Sequence, residues 1–202
     1  MRTAFKEWAM VVDALGRGEQ IIILRKGGIS EGGGGFKVEH ERFLLFPTLF
    51  HQQRESVIDS AKKRYDEVWP TFPKSNRVRI EFYAEVIDWR ELTSLEDAER
   101  LRGQHIWRDE VIAERFEWGR KKEIYAMAVR VWRLTDAYEL PMRESYGGCK
   151  SWIELEQEIS TEGAQPVVNE PQFEQRLKEF RRALGKRMAN ELTRRVRSGI
   201  GE

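Results

Sequence analysis

Apolar positions recur along the chain with two periods, and each period predicts its own kind of element. From Thr3 to Leu15, the residues Phe5, Trp8, Ala9, Val12 and Leu15 fall three or four apart. That spacing predicts the apolar face of a helix, which Gly16 and Gly18 end. Gln20 to Leu24 is rich in β-branched residues and predicts a buried strand. Residues 36–46 predict one or two strands closed by Pro47, and residues 51–65 predict a helix. Pro70 and Pro73 mark residues 69–76 as a loop. The strictest alternation lies in residues 77–87, where Val78, Ile80, Phe82, Ala84 and Val86 interleave with Arg79, Glu81, Tyr83 and Glu85. This predicts a strand with one apolar face.

Ser94 and Asp97 stand at capping-box spacing and start a short helix that Gly103 ends. Asp109 is suited to cap a second helix, ended by Gly119. Residues 123–134 predict another strand. Residues 138–155 hold the turn Tyr146-Gly147-Gly148 and a short strand or helix, and residues 160–171 read as a linker. Beyond it, Phe173, Leu177, Phe180, Leu184, Met188 and Leu192 again recur three or four apart, the apolar face of a terminal helix. Strands and helices do not alternate as a doubly wound sheet requires. The order predicts an α+β fold: a small mixed β-barrel with inserted helices and an appended C-terminal helix. The expected division is a barrel domain over residues 1–159, then a linker and basic amphipathic helix over residues 160–202.

Composition narrows the class. The chain has 202 residues, long enough to bury a core without staples. With ten Phe, seven Trp and five Tyr, it is too aromatic for a disordered protein. No run approaches the roughly 18 apolar residues of a membrane span. The opening segment carries Glu7 and Asp13 and does not read as a signal peptide, so a cytoplasmic location is expected. The single cysteine, Cys149, excludes a disulfide framework and any multi-cysteine zinc site. A net charge of +1 points to no partner by itself, but the charge is uneven. Nine basic residues face four acids between Glu174 and Glu202. Such a helix has either a solvated basic back or a phosphate-contacting arm.

The segments ILRKGGISE (23–31), FLLFPTLFHQQ (43–53) and YGGCKSW (146–152) resemble an uncharacterised bacterial family, domain of unknown function 1802, over roughly the first 155 residues. Members of that family can occur beside an Mrr-type restriction endonuclease domain. The resemblance therefore implies a restriction or defence setting and a possible endonuclease partner, but supplies no activity. A weaker resemblance is to the PUA-like superfamily, which includes the ASCH, EVE and YTH domains. Its ASCH members carry Gly-x-Lys-x-x-Glu-x-Arg after an N-terminal helix. The same spacing here gives Gly18, Gln20, Ile23 and Arg25, so the glycine and arginine match and the lysine and glutamate do not. The strand–two helices–strand order of residues 77–134 also resembles that superfamily. It implies a small barrel that binds RNA or modified bases, without the ribonuclease-like chemistry of some ASCH proteins.

Read for chemistry, the chain offers little for catalysis. His40, His51 and His105 are its only histidines and show no metal-ligand spacing. His51 could pair with Glu39 or Glu55 as an acid/base couple, against a packing role for the same residues. Cys149 follows two glycines and precedes Lys150, which suits either a reactive thiol or a small buried residue. Glu81 and Glu85 share a strand face, but no Glu-x-Lys follows to complete a nuclease centre. The glycines at 27–28 and 32–35 precede no Gly-Lys-Ser/Thr and read as a loop.

Binding fits better. Arg25 and Lys26 end one strand, His51, Gln52 and Arg54 follow a second, and Lys150, Ser151 and Trp152 follow a third. Cations hold phosphates, amides and hydroxyls read base edges, and an aromatic ring stacks on an unpaired base. The expected function is a nucleic-acid-binding module, for DNA or RNA, recognising a modified or flipped base at these eight residues. No catalytic residue, metal or cofactor is assigned. Two alternatives stand: a metal-dependent nuclease or other hydrolase, and a protein-interaction module using the apolar face of residues 173–192.

Overall fold

The computed structural model describes residues 1–26, 38–49, 53–73, 76–119 and 121–185. The glycine segment, His51, Gln52 and the last 17 residues lie outside these. The fold rests on two long strands, β4 (Arg77–Leu92) and β5 (Ile124–Pro141), paired antiparallel over nearly their whole length. Strands of 16 and 18 residues twist strongly, and this pair also carries two register shifts, between Ile80 and Phe82 and between Val86 and Asp88. The other strands are β1 (Thr3–Trp8), β2 (Ile22–Arg25), β3 (Arg42–Thr48), β6 (Trp152–Glu154) and β7 (Gln165–Pro166). They complete one sheet in the order β2-β5-β4-β3-β1-β6, with β7 added on β5. Pairing of β1 with β3 is parallel and the rest is antiparallel. The sheet curls into a half-barrel rather than closing as a full barrel. The α+β class expected from the sequence is therefore present.

The first bulge corrects the one-faced reading of residues 77–87. Val78 and Ile80 join a cluster with Ala4, Leu44, Phe46, Tyr146 and Ile153 on one face. Phe82 and Ala84, of the same parity, join the opposite cluster with Phe5, Phe43, Leu45 and the helices. Here β4 advances two residues, from Ile80 to Phe82, while β5 advances five, from Tyr138 to Arg133, so the regular pairing that keeps alternate residues on one face is interrupted. The result is a sheet with a buried core on each face.

The expected helix over Thr3–Leu15 is also corrected. It is β1 followed without a break by α1 (Ala9–Gly16). Ala4 and Phe5 are both fully buried, one on each face of the sheet, which a strand permits and a single helical stripe does not. The buried amide of Gln53, in α2 (Gln53–Ser56), secures this junction. It accepts from the Met10 N–H at 3.3 Å and donates to the Thr48 carbonyl at 2.6 Å. Pro47 does not close β3 but lies within it, opposite Glu7. The helix expected over residues 51–65 is two pieces, α2 and α3 (Asp59–Val68), with Val57 between them bridged to Trp107.

Between β4 and β5 lie α4 (Leu95–Glu99) and α5 (Asp109–Glu117). Ser94 caps α4 by accepting from the Asp97 N–H at 3.1 Å, as its spacing predicts. Asp109 is instead the first residue of α5, where its charge suits the helix N-terminus, and Arg108 is the N-cap. Near the C-terminus, α6 (Glu170–Ala183) is capped by Asn169, which accepts from Gln172 N–H at 3.0 Å. Phe173, Leu177 and Phe180 are buried against the chain's own larger core. Asp88, 7% exposed, receives Arg181 of α6 at 2.8 Å and also pairs with Arg90. Burial opposes its ionisation, but these two arginines outweigh that and hold its carboxyl below the usual range.

Gly16 closes α1 against β4. A Cβ there would come within 2.9 Å of three ring carbons of Phe82. Arg133 sits over that ring at 4.7 Å and donates to the Gly16 carbonyl at 3.0 Å, so any shift of Phe82 disturbs this contact. Gly16→Ala is expected to cost about 1–3 kcal/mol by overpacking, read as a lower urea midpoint at unchanged slope.

Candidate functional site

The mouth of the half-barrel brings together the two ends of the sheet. Arg25 closes β2 at one end, and Ser151 directly precedes β6 at the other. They meet: Arg25 Nε donates to Ser151 Oγ at 3.0 Å and Nη2 donates to the same oxygen at 2.7 Å. Ser151 is fully buried, and its carbonyl accepts from the Lys6 N–H at 2.9 Å, extending the β1–β6 ladder by one residue. The Arg25 guanidinium carbon lies 5.3 Å from the Phe5 ring centroid. Two of its three nitrogens are thus committed, which fixes its plane and leaves Nη1 for a further partner.

Trp152 adjoins this pair. Its ring packs on Phe5 at 4.7 Å and edge-on to Phe43 and His40, both at 5.0 Å. It is half-buried. Lys150 is exposed beside Ser151, and Cys149 is exposed as well. Of the residues expected from the sequence, Arg25, Ser151 and Trp152 therefore come together, with Lys150 next to them.

Others go elsewhere. Lys26 turns toward the end of α5, where its ammonium donates to the Phe116 carbonyl at 3.1 Å and to the Lys121 carbonyl. Arg54 spends its guanidinium on Asp66, at 2.8 and 2.9 Å, and on Glu55 at 3.0 Å. His51 and Gln52 fall outside the described residues.

Beneath Arg25 lies a set of polar groups that sequence reasoning missed. Glu7 is 2% exposed and its carboxylate accepts from the Trp8 N–H at 2.7 Å. Burial pushes its carboxyl up, against the opposing pull of Arg25 and Arg115. Arg115, from α5, lies over Trp107 at 3.8 Å and Trp8 at 4.9 Å. Desolvation draws its guanidinium down to about 10, so it stays charged at neutral pH. Trp8 and Trp107 meet edge-on at 4.7 Å and box the cation. A lone acid in the segment Ala4–Trp8 and a lone arginine between Ile112 and Phe116 were the available signals. Neither shows its partner at sequence level. Among the described residues, no group of three or more His, Cys, Asp or Glu is placed to hold a metal ion.

The fold and this mouth define an α+β protein with a half-barrel whose open seam is spanned by an arginine–serine contact. A family model described as "Domain of unknown function (DUF1802)" matches residues 4–179, and the chain belongs to that family. The match runs past the segments that first suggested it, through β7 and most of α6. No curated protein and no solved structure matches the chain. No helix among the described residues is long and apolar enough to cross a membrane.

His105 lies in the same core, 6% exposed, its Nδ1 accepting from the Trp107 N–H at 3.2 Å. Burial drives its pKa from 6.5 to about 4, against the pull of Asp109 and with Arg115 and Arg102 adding to the fall. The unfolded chain therefore takes up a proton that the folded one refuses. The resulting stability is full above about pH 6.5 and is lost as pH falls toward 4. Wild type is expected to lose about 2 kcal/mol more than His105→Asn between pH 7 and pH 5, measured by urea unfolding. Equal losses would show that His105 does not set the slope.

Proposed function

We propose that the protein is a nucleic-acid-binding module that receives one modified or extruded base at the mouth of its half-barrel. The observation that carries this reading is the meeting of Arg25 with Ser151 beside Trp152, from opposite ends of the sheet. Trp152 supplies an aromatic ring at the mouth, flanked by His40, of the kind that stacks on bases. Arg25, held in plane by Ser151, offers its remaining nitrogen to a phosphate or a base edge. Exposed Lys150 offers a mobile cation for the backbone. Buried Glu7 and Arg115 lie behind these groups, so the mouth rests on a partly neutralised ion cluster.

A PUA-like reading of the half-barrel goes with this function. Its support is the order β4, α4, α5, β5, together with Arg25 at the position matching the ASCH arginine. The restriction setting implied by the family resemblance supplies the biological frame, with an endonuclease domain as the partner class. The interaction-module alternative is weakened by α6, whose apolar residues as far as Phe180 are spent on the chain's own core.

The test is fluorescence anisotropy with labelled single- and double-stranded DNA and RNA, with and without modified bases, across a salt series. Binding that weakens steeply with salt and prefers one form is expected. Lys150→Glu, at an exposed position, should weaken every oligonucleotide alike and lower the salt slope by about 1–2. Arg25→Lys keeps the charge but loses the fork to Ser151, and should erode the preference between forms more than the affinity. Absence of binding at low salt for every form would overturn the reading.

A further inference from the structure

A second site lies on the other side of β1 and does not depend on the nucleic-acid reading. Lys6 projects to the face opposite Phe5 and Glu7, into a cavity of about 670 Å³. That size suits a small organic ligand. Its walls are mainly apolar and aromatic, formed by Phe46, Trp69, Val78 and Tyr146. Leu49 and Met142 also line it and stay 39% and 40% exposed, unusual for large apolar side chains in this fold. Sheet, loop and turn all contribute, since the lining comes from β1, the end of β3, the start of β4 and the segment 142–149.

The charge inside is unbalanced. Lys6 Nζ donates to the carbonyls of Tyr146 at 2.8 Å and Gly148 at 2.7 Å, which leaves one of its three donors. None of the described carboxylates pairs with it. The other cation in the lining, Arg77, is already matched by Glu139 at 3.2 Å. Burial pulls the Lys6 ammonium below its ordinary value, and the neighbouring charges of Arg25 and Lys150 add to that fall, against the opposing pull of Cys149. An anion placed at Lys6 would offset that fall by direct attraction to the ammonium. The apolar walls in turn require that the rest of the ligand be hydrophobic.

We propose that this cavity binds a small organic carboxylate, its carboxylate on Lys6 and its apolar body against Phe46, Trp69 and Tyr146.

The chain supplies its own reporter. Cys149 is its single cysteine, is exposed, and lines the cavity. Alkylation of Cys149 by iodoacetamide, followed by mass spectrometry at fixed pH, therefore reads occupancy. Naphthoate is the probe, and naphthylmethanol is its uncharged counterpart. Naphthoate is expected to slow alkylation at least about tenfold when in large excess over its Kd, and the alcohol far less. Lys6→Met should weaken naphthoate about tenfold by removing a charge-assisted hydrogen bond. Because Lys6 also ties the 146–148 turn, Met142→Glu is the second variant. It changes an exposed position and should abolish protection while leaving the thermal melt and oligonucleotide binding unchanged. Unaltered alkylation at millimolar naphthoate would overturn the site. Equal protection by acid and alcohol would overturn the carboxylate, and full protection in folded Met142→Glu would overturn the location.

Discussion

Everything in this fold depends on how the β4–β5 pair relieves its own length. Two strands of 16 and 18 residues cannot stay flat, and the register shifts at Ile80/Phe82 and Val86/Asp88 give them a place to bend. Bending curls the sheet, and curling brings its two ends toward each other. Across the first shift, β4 residues of one parity pass from one core to the other. One strand can then feed two cores, with Ile80 on one side and Phe82 on the other. Gly16, Phe82 and Arg133 pack where that change occurs, which is why the glycine there tolerates no Cβ.

The mouth follows from the curl. Arg25 and Ser151 are 126 residues apart and sit at opposite ends of the strand order, yet share a hydrogen bond. Behind them Glu7 and Arg115 are buried at a cost that their attraction only partly offsets, as the raised carboxyl of Glu7 shows. The aromatic box of Trp8 and Trp107 lowers the cost of holding the Arg115 cation by replacing water with ring faces. This buried polar cluster lies directly behind Arg25 and Trp152, both half-buried at the mouth. On the reverse face, Lys6 shows the same economy. Its ammonium is tied to a turn, while the apolar cavity around it stays open.

Much of the fold was legible in the chain. The α+β class, a strand at residues 20–24, the Ser94 cap, central strands at 77–87 and 123–134 and the amphipathic terminal helix all carry local signals (periodicity, β-branching, side-chain capping), though the central strands run on to Leu92 and Pro141. The misreadings share one cause. Residues 3–15 satisfy a helical period, but half of that segment is recruited into the sheet between β3 and β6. Residues 77–87 alternate perfectly in sequence, but the bulge breaks the alternation in space. Pro47 lacks an N–H and reads as a terminator, yet β3 accommodates it near its end opposite Glu7. In each case pairing with a distant strand overrode a local preference.

The candidate site divides along the same line. Sequence by itself determined that cations, a hydroxyl and an aromatic ring stand at strand ends, because strand ends and residue types are local properties. It also fixed the family, whose match to residues 4–179 needs no coordinates. Only the tertiary structure decided which of those groups meet. Arg25, Ser151 and Trp152 converge because the sheet curls, whereas Lys26 and Arg54 are drawn off by the carbonyls of α5 and by Asp66. Glu7 and Arg115, and the cavity at Lys6, belong wholly to that second kind of information. Burial and electrostatic pairing are properties of what surrounds a residue, and a chain acquires surroundings only when it folds.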